Sequence, residues 1–258
     1  MAPEDLPGSV RNSATTGVDG WLAGSWRSRL VLALACLLIG AGLLTMLAPA
    51  GLGGPTPLRV TQGPSAAGYR LVAETAGKAP GFAHDLVELA TEGTLLLLLL
   101  LVAGVWLLGR VRDPRMVGGA LLTMVGTAVA YATSEGLKAL VDEERPCRAL
   151  GAVHTIATCP PVGDWSFPSN HSTIGGALAV GLALTVRRLA PVVLPLGVLA
   201  ALLRVVAGVH YPHDITAGLA LGGTVTAASL LAGMPAAVRL VGLVRQVPVL
   251  GPALAGRP

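Results

Sequence analysis

Residues 89–109 read LATEGTLLLLLLLVAGVWLLG, an apolar run with a single acidic residue near one end. It is as long as the ~20-residue helix that crosses a ~30 Å hydrocarbon core. Working outward, comparable runs occupy Leu30–Leu47, Met116–Leu140, Pro191–Val209 and Ile215–Met234. A shorter one, His171–Val186, is 16 residues long and can still cross if its polar ends sit at the interface. Backbone amides in lipid must be satisfied within the segment, so these runs predict helices. The expected fold is therefore all-α, with six transmembrane helices in a bundle. Composition agrees: 53% of the 258 residues are hydrophobic and 12% charged, against roughly 25% charged in soluble domains. Paired glycines such as Gly118-Gly119, Gly175-Gly176 and Gly222-Gly223 lie within the runs, where small residues let helices approach closely. They read as bundle contacts and not as a nucleotide-binding loop.

Lysine and arginine accumulate on cytoplasmic loops. Six spans put both termini on one side, and with that side cytoplasmic, eleven of the eighteen basic residues fall there, among them Arg110, Arg112, Arg115, Arg187 and Arg188. The net charge of +4 is then mostly a topology signal and gives no reason to expect nucleic-acid binding. The location expected is the cell membrane, multi-pass, with cytoplasmic termini. Three segments follow: a flexible cytoplasmic tail at 1–28, a membrane domain at 29–236 and a cytoplasmic C-terminal tail at 237–258. Ala48-Pro-Ala50 resembles a leader-peptide cleavage site, but the preceding apolar run is long and follows a polar lead, which favours an uncleaved span. Between Ser65 and Ala90 a helix along the membrane surface is conceivable, although its apolar periodicity is weak. His84 reads there as a solvated loop residue.

Ionisable residues at the ends of apolar spans are functional candidates by default. Lys138 precedes Arg145-Pro146 by seven residues; Pro168-Ser169-Asn170-His171 opens the fourth run; Arg204 is followed by His210 and Asp214. All fall on the extracytoplasmic side of the expected topology. His210 and Asp214 are four apart, so the carboxylate can hold one imidazole nitrogen and leave the other as a nucleophile. Pro212 favours a turn between them leading into the last span. The turn at 168–171 feeds a helix N-terminus, whose free amides and dipole suit an anion, and His171 beside that anion can protonate a departing oxygen. Lys138, Arg145 and Arg204 supply three cations, the charge that phosphoryl transfer needs around its equatorial oxygens. Each cation alone could be an interfacial anchor; the joint spacing with two histidines argues for a site. Asp142, Glu143 and Glu144 read as a solvated acidic loop, His213 as a structural or tuning residue, and Trp165 and Tyr211 as candidates for the pocket wall. Cys147 and Cys159 share the extracytoplasmic loop that carries Arg145, where an oxidising compartment permits a disulfide or leaves two free thiols. Cys36 lies inside the first span. No short Cys/His spacing suggests a metal site.

The three motifs, Lys138-x6-Arg145-Pro146, Pro168-Ser169-Asn170-His171 and Arg204-x5-His210-x3-Asp214, closely resemble those of the type 2 phosphatidic acid phosphatase family, which shares its site with bacterial acid phosphatases and vanadium haloperoxidases. The family patterns are Lys-x6-Arg-Pro, Pro-Ser-Gly-His and Ser-Arg-x5-His-x3-Asp. Asn170 stands in place of the usual glycine and Leu203 in place of the serine. The resemblance implies an acid phosphatase/haloperoxidase-like helical core. It implies that His210 attacks phosphorus, Asp214 orients it, His171 protonates the leaving oxygen, and Lys138, Arg145, Ser169, the Asn170 amide and Arg204 hold the phosphate, with no metal or other cofactor. The expected substrate is a lipid phosphate or diphosphate, with undecaprenyl-type polyprenyl diphosphate ahead of phosphatidate and phosphatidylglycerol phosphate. The rivals are a catalytically silent lipid-phosphate binder, suggested by Leu203, and a transporter. Transport would place charges near mid-span, whereas only Glu135 lies clearly inside a span and the motif residues gather at the outer ends.

Overall fold

The computed structural model describes residues 24–49, 57–151, 154–248 and 251. Its helices are α1 (Trp26–Leu47), α2 (Pro64–Gly77), α3 (Gly81–Arg112), α4 (Pro114–Val141), the short α5 (Pro146–Ala149), α6 (Asn170–Thr185), a 3₁₀ turn at Arg187–Leu189, α7 (Ala190–Val206) and α8 (Pro212–Arg245). Among the described residues, strand-like pairing is confined to an isolated parallel bridge between Leu58 and Glu143. Among the described residues, five helical segments are long and apolar enough to cross a membrane: α1, α3, α4, the 187–206 segment containing α7, and α8. The chain is a multi-span membrane protein. The remaining expected span, α6, is helical but has only 16 residues, about 24 Å at 1.5 Å per residue.

Helix α6 tolerates that shortness because it sits inside the bundle, packed against α8, α7 and α4, with α3 beyond. Most of its residues are buried, including Gly175, Gly176, Leu178 and Leu182, and the largest core cluster joins it to Leu98 and Val102 of α3 and Val193 of α7. Helix α8 packs on α6, α4 and α1. The crossing of α6 and α8 is made at glycine: a Cβ on Gly222 would lie 1.9 Å from the carbonyl oxygen of Thr173, and one on Gly218 would lie 2.5 Å from that of Ser169. Only backbone fits there.

Several expectations change. The surface segment is two helices, because the chain breaks at Lys78–Pro80 between α2 and α3. Helix α2 buries Ala66, Tyr69 and Ala73 against Tyr211. His84 belongs to the first turn of α3 and is half-buried, so it is not a loop residue. The last helix continues to Arg245, so residues 237–245 extend the bundle, and most of the N-terminal tail lies outside the described residues. Glu143 and Glu144 are buried at 0% and 7% exposure, not solvated. Asp142 caps α4 in the left-handed conformation, φ 46°, and turns the chain inward, where Glu144 N–H donates to Leu58 O and Ser166 N–H to Glu143 O.

Replacing Gly222 by alanine should destabilise the bundle by about 1–3 kcal/mol or more, since the clash is with backbone. The check is the unfolding temperature of the detergent-solubilised protein, which Gly42→Ala, with open space around its Cβ position, should leave nearly unchanged.

Candidate active site

Helices α6 and α8 both begin at one end of the bundle, and α4 and α7 both finish there. Pro212 opens α8, as the sequence led one to expect, and Asp214 is its third residue, where its Oδ2 accepts the Tyr211 N–H at 2.7 Å. A carboxylate in the first helical turn caps free amides and meets the positive end of the dipole. The same Oδ2 accepts the Ser166 hydroxyl at 2.5 Å and lies 3.4 Å from His210 Nδ1. His210 precedes the helix on a turn made by Gly208, whose φ of +82° and close approach to Thr155 exclude a side chain. Tyr69 of α2 fixes this turn through its hydroxyl, which donates to Gly208 O at 2.8 Å.

On the far side of the imidazole, His210 Nε2 is 2.9 Å from Arg145 Nη1. A guanidinium can only donate, so Nε2 carries the lone pair and the ring proton sits on Nδ1, facing Asp214. Burial and then the charge of Arg145 hold the His210 pKa down, to about 3, against the opposing pull of Asp214. The imidazole is neutral and its free nitrogen is Nε2.

That nitrogen opens onto a cavity of about 340 Å³, bounded by Tyr131, Lys138, Arg145, Asp164, Asn170, His171, Arg204 and others. Lys138 and Arg204 come from the last turns of α4 and α7, where cations meet the negative dipole end. Arg145 is buried and tied by Nη1 to Val209 O at 3.1 Å and by Nε to Asp164 O at 3.0 Å. His171, in the first turn of α6, places Nε2 3.0 Å from Glu92 Oε1. The structure therefore brings Lys138, Arg145, Asn170, His171, Arg204 and His210 to one cavity. Asp214 and Ser169 lie behind its wall, and Trp165 and Tyr211 do not line it. Ser169 is fully buried, and its N–H donates to Asp214 O at 3.1 Å. Asn170 has ordinary helical backbone; its side chain accepts from Ser134 Oγ at 2.8 Å and donates to Glu135 Oε1 at 2.6 Å. Leu203 is buried in α7. Cys147 and Cys159 are joined as a disulfide, and Arg148, beside Cys147, donates to Pro160 O and Pro161 O.

Sequence reasoning missed several partners. Asp164 Oδ1 is 2.8 Å from Arg145 Nη2 and 3.6 Å from Lys138 Nζ. Burial alone would raise its carboxyl, but the hydrogen bond and charge of Arg145, then the charge of Lys138, outweigh it and hold the pKa low. Ser166, two residues before the Pro168 motif, was unmarked because nothing local distinguishes it. His213 bridges carboxylates: its Nε2 is 3.1 Å from Glu143 Oε1 and 3.2 Å from Asp214 Oδ1, and its Nδ1 is 2.6 Å from Ser65 Oγ. Burial, then the nearby Asp214 charge, push Glu143 well above the usual carboxylate range. Glu143, His213 and Asp214 sit close enough for a metal ion, with Asp214 Oδ1 the oxygen that faces His213.

Residues 119–235, which contain all three motifs, match the family model described as the PAP2 superfamily. The stretch that carries the site is thus similar to the PAP2 superfamily. The chain is 37% identical over 123 residues to decaprenylphosphoryl-5-phosphoribose phosphatase of Mycobacterium tuberculosis (strain ATCC 25618 / H37Rv), covering 47% of this chain and 65% of that protein. It is 32% identical over 133 residues to undecaprenyl-diphosphatase BcrC of Bacillus subtilis (strain 168), covering 50% and 64%. The chain thus spans just under two thirds of the length of these curated relatives. A solved PAP2-type phosphatidylglycerolphosphate phosphatase from Bacillus subtilis superposes with a TM-score of 0.50 at 17% identity, over 79% of this chain and 96% of that one. That likeness concerns the PAP2 fold.

The buried neutral His210 carries a stability signature. An unfolded histidine takes up its proton near pH 6.5, whereas folded His210 resists until about 3. Its contribution is complete above the unfolded value and is lost as pH falls through this window. The unfolding temperature should decline on acidification below 6.5, and His210→Asn should make that decline shallower; an equal slope in both proteins would contradict the assignment.

Proposed function

We propose that this chain is an integral membrane phosphatase that hydrolyses lipid phosphates or diphosphates at the extracytoplasmic face through a phosphohistidine, with polyprenyl diphosphate as the leading substrate. The observation that carries this reading is the His210 tautomer: Nε2 presents its lone pair to a cavity holding Lys138, Arg145, Arg204 and His171, while Nδ1 faces Asp214.

The chemistry follows from these positions. The His210 Nε2 lone pair forms the N–P bond as the phosphoester or anhydride P–O bond breaks; the electron pair leaves on oxygen, which takes a proton from His171. As Nε2 bonds to phosphorus the ring becomes cationic, and Asp214, held by Tyr211 N–H and Ser166, stabilises that charge. Arg145 turns its Nη1 donor from Nε2 to a phosphoryl oxygen, and Lys138 and Arg204 meet the other oxygens. Water, deprotonated by His171, then attacks phosphorus, the P–N bond breaks, and phosphate departs. These cations meet the developing charge, so the sequence needs no metal.

The orientation rests on charge. Arg110, Arg112, Arg115, Arg187 and Arg188 lie at the end of the bundle opposite the cavity, as the cytoplasmic rule requires for an outward-facing site. A lipid tail can stay in the bilayer while its headgroup enters the cavity. A second reading, a lipid monophosphate ester such as phosphatidate, phosphatidylglycerol phosphate or a prenyl-linked sugar phosphate, draws on the names of the Mycobacterium relative and of the solved Bacillus structure.

The test is phosphate release by the purified protein in detergent, with chelator present, from polyprenyl diphosphate and phosphatidate side by side. His210→Ala should lower turnover at least about 10³-fold and His171→Ala about 10²–10⁴-fold. The faster substrate decides between the two readings. Vanadate binding without release from either lipid would instead identify a silent binder.

A further inference from the structure

Asp164 is the one acidic side chain on the cavity wall among the described residues. Its Oδ1 lies between two cations whose side chains are only 5% and 9% exposed, 2.8 Å from Arg145 Nη2 and 3.6 Å from Lys138 Nζ, while its own side chain is 41% exposed. This is where an oxygen of a bound phosphate would have to sit to meet both cations. Neither cation depends on that carboxylate for its position. Arg145 is anchored by two backbone carbonyls, Val209 O through Nη1 and Asp164 O through Nε. Lys138 has a second ion pair with Glu135 Oε1 at 3.3 Å. The carboxylate can therefore swing away without unseating either group. Asp164 also lies outside the helices, between Pro161 and the start of α6, where side-chain rotation disturbs no helical hydrogen bond.

We infer that Asp164 is a resident anion that the substrate's phosphoryl group displaces, and that it sets how tightly the cavity holds phosphate. This deepens the phosphatase reading and rests on it. Binding becomes an exchange of one anion for another over the same two cations. Ground-state phosphate and the phosphate product are held more weakly than the bare cations would hold them, and the returning carboxylate helps expel the product. The displaced carboxylate, still near the phosphate, also leaves less net positive charge for headgroups with additional phosphates, so Asp164 determines specificity as well as release.

The experiment uses the full chain in detergent, with inorganic phosphate as the probe, titrated calorimetrically into wild type, Asp164→Asn and Asp164→Glu. Removing one charge at contact distance should tighten phosphate binding by about tenfold or more, with inhibition by phosphate strengthened equally and KM lowered more than kcat. Asp164→Glu should return toward wild type. If wild type binds phosphate and Asp164→Asn binds it equally or more weakly, the inference is wrong while the phosphatase reading stands. If neither protein binds phosphate, both fall. Should Asp164→Asn not fold, a structure of the wild-type protein with orthovanadate decides: the inference requires Arg145 Nη2 to contact a vanadate oxygen with the Asp164 carboxylate withdrawn, and an unchanged 2.8 Å ion pair would overturn it.

Discussion

The close approach of α6 and α8 is the constraint on which the site depends. Both helices start at the same end, one with Asn170 and His171 and the other leading on from His210 into Asp214, so the spacing between their axes fixes the spacing between the proposed nucleophile and the proposed acid. With carbonyls of Ser169 and Thr173 where Cβ atoms of residues 218 and 222 would lie, the two helices cannot slide or rotate without a backbone clash. The Ser169 N–H bond to Asp214 O closes the contact at its polar end. Lipid gives little hydrophobic drive to helix pairing, so shape of this kind carries much of the specificity.

Charge placement follows from helix direction. The termini of α4 and α7 that reach the cavity are negative dipole ends, and they carry Lys138 and Arg204; those of α6 and α8 are positive ends, and they carry a neutral amide, a histidine and the buried Asp214. Each ionisable group is favoured locally before any substrate is considered. Glu143 and His213 extend the arrangement behind Asp214, where a carboxylate raised by burial lies beside an imidazole that also touches Asp214. Tyr69 and Tyr211 seal that layer, their rings 5.7 Å apart.

What the sequence revealed and what it hid divide along a physical line. Spans were legible because hydrophobic length is summed over many residues, and the spacings of the three motifs because each is held by local geometry, such as the helix-start position of Asp214. Hidden were contacts between distant segments. Glu92 meets His171 across two helices; Glu143 looked solvated in a run of three acids, yet the left-handed turn at Asp142 carries it inward; Ser166 serves Asp214 from a loop without regular structure. Asp164 had no pattern to mark it, since its meaning comes only from the two cations it reaches. The reading of His84 failed because the apolar pattern of α3 is weakest at its first turn.

The near balance of opposite charges around the cavity has a kinetic side. Lys138, Arg145 and Arg204 are accompanied by Asp164, Glu135 and Glu92 within the same end of the bundle. Seen from beyond a Debye length of about 10 Å, their fields largely cancel. The protein therefore broadcasts little attraction into the aqueous phase, and free anions are not drawn in from a distance. Recognition becomes a matter of collision: a headgroup must already be at the rim before the cations are felt. For a molecule confined to the bilayer plane this is no handicap, because two-dimensional diffusion delivers it to the rim, and encounter rates should be nearly indifferent to ionic strength.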